Sequence, residues 1–182
     1  MAQAKRKQKF FDVEMPILGK KTQLYAFEKK DLEGRTITYD LTRLLRGKSM
    51  IIKLIVKLEG DKITSIPKKI IIMPYFIRRM MRKGIDYVED SFLSECKDAS
   101  VRIKPFLITR KKVSKSIRKA LRNETKKELV GYIKNKNSES LFDEIIKNKL
   151  QKTLSQKLKK IYPLSLCEIR VFEVVKEIQN KE

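Results

Sequence analysis

Apolar residues recur along this chain with two different periods, and the change from one to the other divides it. Over residues 50–58 they fall at every second position, Met50, Ile52, Leu54, Val56 and Leu58, with Lys53 and Lys57 between them. Alternation of that kind marks a strand with one face in a core. A turn at Glu59, Gly60, Asp61 and Lys62 and a second extended run from Ile63 to Ile72 follow. Near the start, Phe11, Val13 and Met15 alternate in the same way and Pro16 closes the run, so the folded part is expected to begin at Phe10. Residues 20–34 read as a polar connection to a short strand at Thr36, Ile37, Thr38 and Tyr39. Asp40 is placed to cap a short helix over residues 41–45 that ends near Gly47. A second short helix is predicted from Pro74 to Lys83, with proline in its first turn and Gly84 at its end. Residues 85–93 and 100–109, separated by a turn over 95–99, predict a hairpin.

From Lys111 the period becomes helical and stays so almost to Tyr162. Asn123, Gly131 and the polar cluster of residues 135–140 mark breaks, and Leu141, Ile145, Ile146, Leu150, Leu154 and Leu158 form a further apolar stripe. Pro163 stops the helices, and residues 167–175 (CEIRVFEVV) return as a strand. A strand that late makes the helices an excursion from one sheet. The expected fold is α+β, an antiparallel core with flanking basic amphipathic helices and a late return strand. The expected organisation is a flexible basic arm over residues 1–9, a single domain over 10–176 and a polar tail over 177–182. Within the domain, 10–110 are mainly strands with two short helices, 111–162 are the helical excursion and 167–175 the return strand.

Charge sharpens this picture. Lys and Arg number 44 against 22 Asp and Glu, a net +22, and self-repulsion of that size destabilises a compact chain unless anions screen it. With 41% hydrophobic residues the chain still builds a core, so a folded protein with a polyanionic partner, nucleic acid first, is expected. There is no run of about 20 apolar residues and no signal-like apolar segment after the basic start, so no membrane partner is expected and the protein reads as soluble and intracellular. At 100° per residue, Lys111, Lys115, Arg118, Lys119, Arg122 and Lys126 share one arc of a helix, with Val113, Ile117 and Ala120 turned away from it. Leu129 and Ile133 rotate onto the same arc, so this helix is expected to end, bend or change packing partner after about Lys126. The candidate RNA-binding set is the arm (Lys5, Arg6, Lys7, Lys9), the helix after Pro74 (Arg78, Arg79, Arg82, Lys83), and the row Arg110, Lys111, Lys112, Lys115, Arg118, Lys119 and Arg122.

Catalytic chemistry finds little support. Without histidine the chain lacks the commonest general acid–base and most zinc arrangements. Cys96 and Cys167 have no metal-ligand spacing and read as buried or half-buried free thiols. Gly47, Lys48 and Ser49 mimic the end of a phosphate loop, but Thr42 stands where that pattern needs glycine. Asp86, Glu89 and Asp90 are close enough to suggest a magnesium-dependent nuclease, the rival enzymatic reading. Strand positions facing solvent or a neighbouring basic segment explain them better, because no third element offers further ligands or a base, and no catalytic residue, metal or cofactor is expected. A free-standing, non-specific nucleic-acid binder is the other alternative.

Several stretches, in order, resemble one family. IRKALRNETKKEL at 117–129, KKIYPL at 159–164 and EIRVFEV at 168–174 are similar to the ribosomal protein S-three-Ae family of the archaeal and eukaryotic small subunit. FFDVEMP at 10–16, GRTITYDL at 34–41 and SVRIKPFLITRKK at 100–112 resemble its earlier elements. The chain is shorter than the larger members at both ends, which looks archaeal. The resemblance implies a β-barrel-like core on the platform of the small subunit, near the messenger exit and the 3′ end of its RNA. The partners it implies are small-subunit ribosomal RNA, neighbouring platform proteins and messenger RNA near the exit, in cytoplasmic ribosomes and without a homo-oligomer. The function expected is therefore a structural constituent of the small ribosomal subunit that supports translation, with no enzymatic activity.

Overall fold

The computed structural model describes residues 7–60 and 62–177. Lys5, Arg6, Asp61 and the expected tail beyond Glu177 lie outside the described residues. The elements, in chain order, are β1 (Lys9–Met15), β2 (Lys20–Ala26), β3 (Thr36–Asp40), β4 (Met50–Glu59), β5 (Lys62–Ile72), α1 (Pro74–Met80), β6 (Tyr87–Glu89), β7 (Phe92–Glu95), β8 (Ala99–Thr109), α2 (Lys115–Ile133), α3 (Ser138–Ile146), α4 (Lys149–Leu158) and β9 (Leu164–Glu177). The fold is α+β. Its hydrogen-bonded strand order is β2–β1–β5–β9–β8–β6, with β4 beside β5, β3 beside β4 and β7 beside β8.

This sheet is mixed and open, which corrects the all-antiparallel core expected from the sequence; the barrel-like closure that the resemblance implies is not seen among the described residues. Strand β1 pairs with β5 in parallel at Glu14↔Thr64, whereas β1–β2, β5–β9 and β8–β9 are antiparallel. Parallel neighbours need a long crossover, and β2, β3 and β4 fill the chain between β1 and β5.

Two compact units divide the chain: the described residues of Met1–Tyr39 with Ile52–Lys68, and those of Asp40–Ile51 with Lys69–Glu182. The first holds β1, β2 and most of β3 and β4. Its buried residues include Val13, Met15, Ala26, Leu32, Ile52, Leu54 and Val56. The alternation read over 50–58 holds through Val56, since Met50, Ile52, Leu54 and Val56 are fully buried and Lys53 and Lys57 half-exposed, whereas Leu58 is only half-buried. Residues 20–34 are more ordered than a polar connection. Strand β2 occupies their first part and a single 3-10 turn, Lys29–Leu32, their middle. β2 escaped detection because it is an edge strand, with Lys20, Lys21, Gln23 and Tyr25 exposed.

In the second unit the antiparallel β8–β9 pair runs from Ala99↔Glu177 to Thr109↔Leu164. Pro105, which cannot donate to the ladder, sits at one of its register shifts. The predicted hairpin arm over 85–93 is two strands, β6 and β7, interrupted at Asp90 and Ser91, and both pair with β8. The return strand is longer than 167–175, starting immediately after Pro163. The predicted helix over 41–45 is replaced by turns, although the Asp40 carboxylate accepts from the Thr42 N–H at 2.7 Å in the manner of a helix N-cap.

The helical excursion leaves the sheet at Thr109 and rejoins it at Leu164, which are paired neighbours. Three contacts of different kinds hold it there. Phe142 of α3 meets Phe172 of β9 edge to face, ring centroids 4.9 Å apart, and both are fully buried. Asp98, in the β7–β8 turn, accepts from the Ser138 N–H at 2.9 and 3.0 Å and from its hydroxyl at 2.6 Å. It thereby supplies from a distance the cap that the Asn137 side chain does not make for α3. Lys48, 8% exposed, donates to Glu168 of β9 at 2.5 Å and to Asn148, between α3 and α4, at 2.8 Å. The lysine of the apparent phosphate loop is thus an internal clamp.

Both cysteines are free, as expected, and burial pushes each thiol up to about 12 from an ordinary 9.0. Two outcomes follow. Phe142→Ala should cost about 3–5 kcal/mol in urea unfolding and expose the amides of α3 to exchange. The folded state holds the thiol protons more tightly than the unfolded one, so this stabilisation is present below about pH 9 and is lost as pH rises toward 12. At pH 8 an aromatic disulfide reagent should label Cys96 and Cys167 about 100-fold more slowly in the folded protein than in urea.

Candidate nucleic-acid interface

Helix α2 begins at Ser114, whose hydroxyl accepts from the Ile117 N–H at 3.4 Å. Its buried residues are Leu121, Thr125, Leu129 and Ile133, four apart. Four residues turn an α-helix about 40° past a full turn, so this buried line winds around the helix instead of holding one face. The helix therefore neither ends nor bends after Lys126: it changes partner. Its first half lies along β6 and β7, where the Arg122 Nε donates to the Glu89 carbonyl at 3.3 Å and Lys126 lies over the Phe92 ring. Its second half meets α4, where Lys157 pairs with Glu128.

The winding sorts the basic row. Lys115, Lys119, Arg122 and Lys126 are exposed and follow one another at intervals of four, three and four residues, a single stripe. Arg118 departs from the expectation: it is half-buried, and its Nε is buried without a hydrogen-bond partner. Ala120 departs in the other direction, facing solvent, while Val113 and Ile117 are half-buried. Lys126 belongs with the stripe on its spacing, although the candidate set stopped at Arg122. The first turn of α2 contains no acidic residue, so the positive end of the helix dipole adds to Lys111, Lys112 and Lys115. That local excess is unfavourable for the isolated chain and favourable for an anion.

Arg110, Lys111 and Lys112 are exposed in the joint between β8 and α2, and this joint is tightly tied. Thr109, fully buried, donates its N–H to the Asp86 carbonyl at 2.9 Å, and its hydroxyl accepts from the Asp86 N–H at 3.1 Å. The same hydroxyl is 2.7 Å from the Lys111 carbonyl. The Asp86 carboxylate accepts from the Val113 N–H at 2.9 Å. Lys83 lies three residues before Asp86, a reach of about 10 Å at most, so the tie brings the segment of Arg82 and Lys83 to that of Arg110, Lys111 and Lys112. Helix α1 stops at Met80, because Met81 is extended, and Arg82 and Lys83 therefore stand in the following loop rather than on the helix. Arg78 and Arg79 remain on it, exposed. Lys7 is exposed, and Lys9, also exposed, opens β1 instead of ending an arm.

Among the described residues the acids pair elsewhere. Ion pairs join Lys21 to Glu14, Lys48 to Glu168, Lys69 to Glu173, Lys136 to Glu144, Lys147 to Asp143, Lys157 to Glu128 and Arg170 to Glu89. No candidate residue is in that set. The carboxylates of the nuclease reading are dispersed in the same way: Asp86 caps Val113, Glu89 pairs with Arg170 at 2.8 Å, and Asp90 accepts from the Ser91 N–H at 2.8 Å. No group of three or more acidic or sulfur ligands that could hold a metal ion is found among the described residues.

The Ribosomal S3Ae family model matches residues 2–178. The chain is also similar to the small ribosomal subunit protein eS1 of Nanoarchaeum equitans, 26% identical over 172 residues that cover 90% of this chain and 86% of that protein.

If Asp86 is a backbone cap and not a metal ligand, Asp86→Ala should cost about 1–3 kcal/mol in urea unfolding and Asp86→Asn, which keeps an acceptor, clearly less. Millimolar magnesium should leave the melting temperature of the wild-type protein unchanged; a rise abolished by both substitutions would revive the metal reading.

Proposed function

Because the chain belongs to the Ribosomal S3Ae family, we propose that it is a structural constituent of the small ribosomal subunit, binding ribosomal RNA and supporting translation without catalysing a reaction. The observation that carries this reading is the set of exposed, acid-free cations at the Asp86–Thr109 joint and along α2, in a chain of net charge +22. Such side chains gain by releasing the counterions condensed on phosphates. Selectivity then comes from the shape of folded RNA, because lysine and arginine contacts to phosphate position a protein without reading sequence.

The contacting set is Lys5, Arg6, Lys7 and Lys9 at the start of the chain, Arg78, Arg79, Arg82 and Lys83 around the end of α1, and Arg110, Lys111, Lys112, Lys115, Lys119 and Arg122. Arg118 acts at the margin, since its Nε is turned into the packing. The curated relative is named as a small ribosomal subunit protein, which supports the same assembly for this chain and a place in cytoplasmic ribosomes. Within that assembly the seat is the platform near the messenger exit, beside neighbouring platform proteins and within reach of messenger RNA.

The native protein should sediment almost wholly with small subunits and stay there through a modest salt wash; recovery as free protein would refute the assignment. Neutralising Lys115, Lys119 and Arg122 together should lower the salt slope of RNA binding by about two to three units. An unchanged slope would remove α2 from the interface.

A further inference from the structure

An exposed aromatic ring stands next to the Asp86–Thr109 joint. Tyr87, the first residue of β6, is 53% exposed. Its ring stacks on that of Phe106, which is 1% exposed, at a centroid distance of 5.9 Å and an interplanar angle of 25°. The Tyr87 hydroxyl has no hydrogen-bond partner among the described residues. Pairing sets its neighbours. Tyr87 stands opposite Ile108, and Arg110 follows two residues further on, in the bend just past the end of β8. The residue before it, Asp86, makes the tie to Thr109 and Val113. Lys83 lies four positions before it.

Nearby acids do not compete for this place. The Asp86 carboxylate is taken by the Val113 N–H, and Glu89, on the same face two residues on, is taken by Arg170. What remains is a ring with one side resting on the core and the other half open, bordered by cations without acidic partners. Paired A-form RNA keeps its bases stacked on one another, whereas an unpaired nucleotide offers a flat π-face and a phosphate together.

We infer that Tyr87 is a stacking platform for an unpaired nucleobase of RNA, with Arg110 and Lys83 holding the phosphates beside it. This deepens the RNA-binding reading above and rests on it. The chain has no tryptophan and six tyrosines, so the part of the tyrosine quenching that is lost in Tyr87→Phe reports the contact.

The test uses the full chain, a single-stranded oligouridylate and the same strand with abasic sugars, alongside Tyr87→Phe and Tyr87→Leu. Expected results are tyrosine quenching by the intact strand, Tyr87→Phe binding within about twofold of wild type, and Tyr87→Leu weaker by about 5- to 100-fold at an unchanged salt slope. The abasic strand should bind wild type and Tyr87→Leu equally and more weakly than the intact strand. Stacking is refuted if wild type holds abasic and intact strands equally, a comparison that needs no variant, or if Tyr87→Leu binds the intact strand like wild type. Failure of both strands to bind wild type at low salt would overturn the RNA-binding reading itself, an outcome distinct from loss of the base-dependent part alone.

Discussion

The pairing of Thr109 with Leu164 is the constraint on which the basic surface depends. It makes the exit and re-entry of a long helical excursion adjacent in space, so that α2, α3 and α4 close on the sheet they left. Closing so long a loop is entropically costly, though the cost grows only slowly with length. It is met here by contacts spread along the excursion: the Phe142–Phe172 ring pair, the Asp98 cap on α3 and the Lys48–Glu168 clamp. Each joins residues distant in the chain, and each uses a different interaction, so no single substitution unfastens the whole. The Lys48 pair is also the one with the largest desolvation cost, repaid only while both partners and Asn148 are present.

The placement of acids explains how a chain of charge +22 stays folded and still presents bare cations. Several acidic side chains serve internal roles, capping helices or joints, as Asp98 and Asp86 do, or neutralising lysines that pack, as Glu168 and Glu144 do. Among the described residues none of the ion pairs engages Arg110, Lys111, Lys112 or the α2 stripe. Cations at the start of a helix oppose its dipole, so that local arrangement is costly for the protein alone. An arrangement that works against the isolated fold and for an anionic partner is more informative than the net charge, which says only that some polyanion is needed.

How much of this was legible in the chain follows from the range of the interactions involved. β4 was read from Met50, Ile52, Leu54 and Val56 because alternation is a local pattern with one buried face. The excursion and the return strand were legible for the same reason, as was the change of partner along α2, announced by Leu129 and Ile133 turning onto the cationic arc. β2 was not, because an edge strand with exposed Lys20, Lys21 and Gln23 has the composition of a loop. The early end of α1 at Met80 was missed because Gly84 offered a plausible terminator that the backbone does not use. Lys48 and Glu168 lie 120 residues apart, and Asp86 and Val113 lie 27 apart; no periodicity relates such pairs. The candidate site was accordingly visible as a set of residues and invisible as an arrangement. Lys126 could have been included on its spacing from Arg122, whereas the half-burial of Arg118 could not be foreseen without knowing how α2 packs.

The joint at Asp86 and Thr109 separates what aligns the interface from what attracts to it. Thr109, Asp86 and Val113 are held by backbone and hydroxyl hydrogen bonds, with one carboxylate accepting a backbone N–H, and Thr109 is fully buried. Such bonds respond little to ionic strength. The flanking cations act through exposed charges whose interactions salt screens within about 10 Å at 0.1 M. Raising salt therefore weakens the attraction without loosening the geometry, and the segments of Lys83 and Arg110 stay juxtaposed whether or not an anion is present. If this surface binds RNA as proposed, the interface is preformed: binding then has to neutralise phosphates and does not have to order the joint that presents the charges, so less of the attraction is spent on conformational entropy.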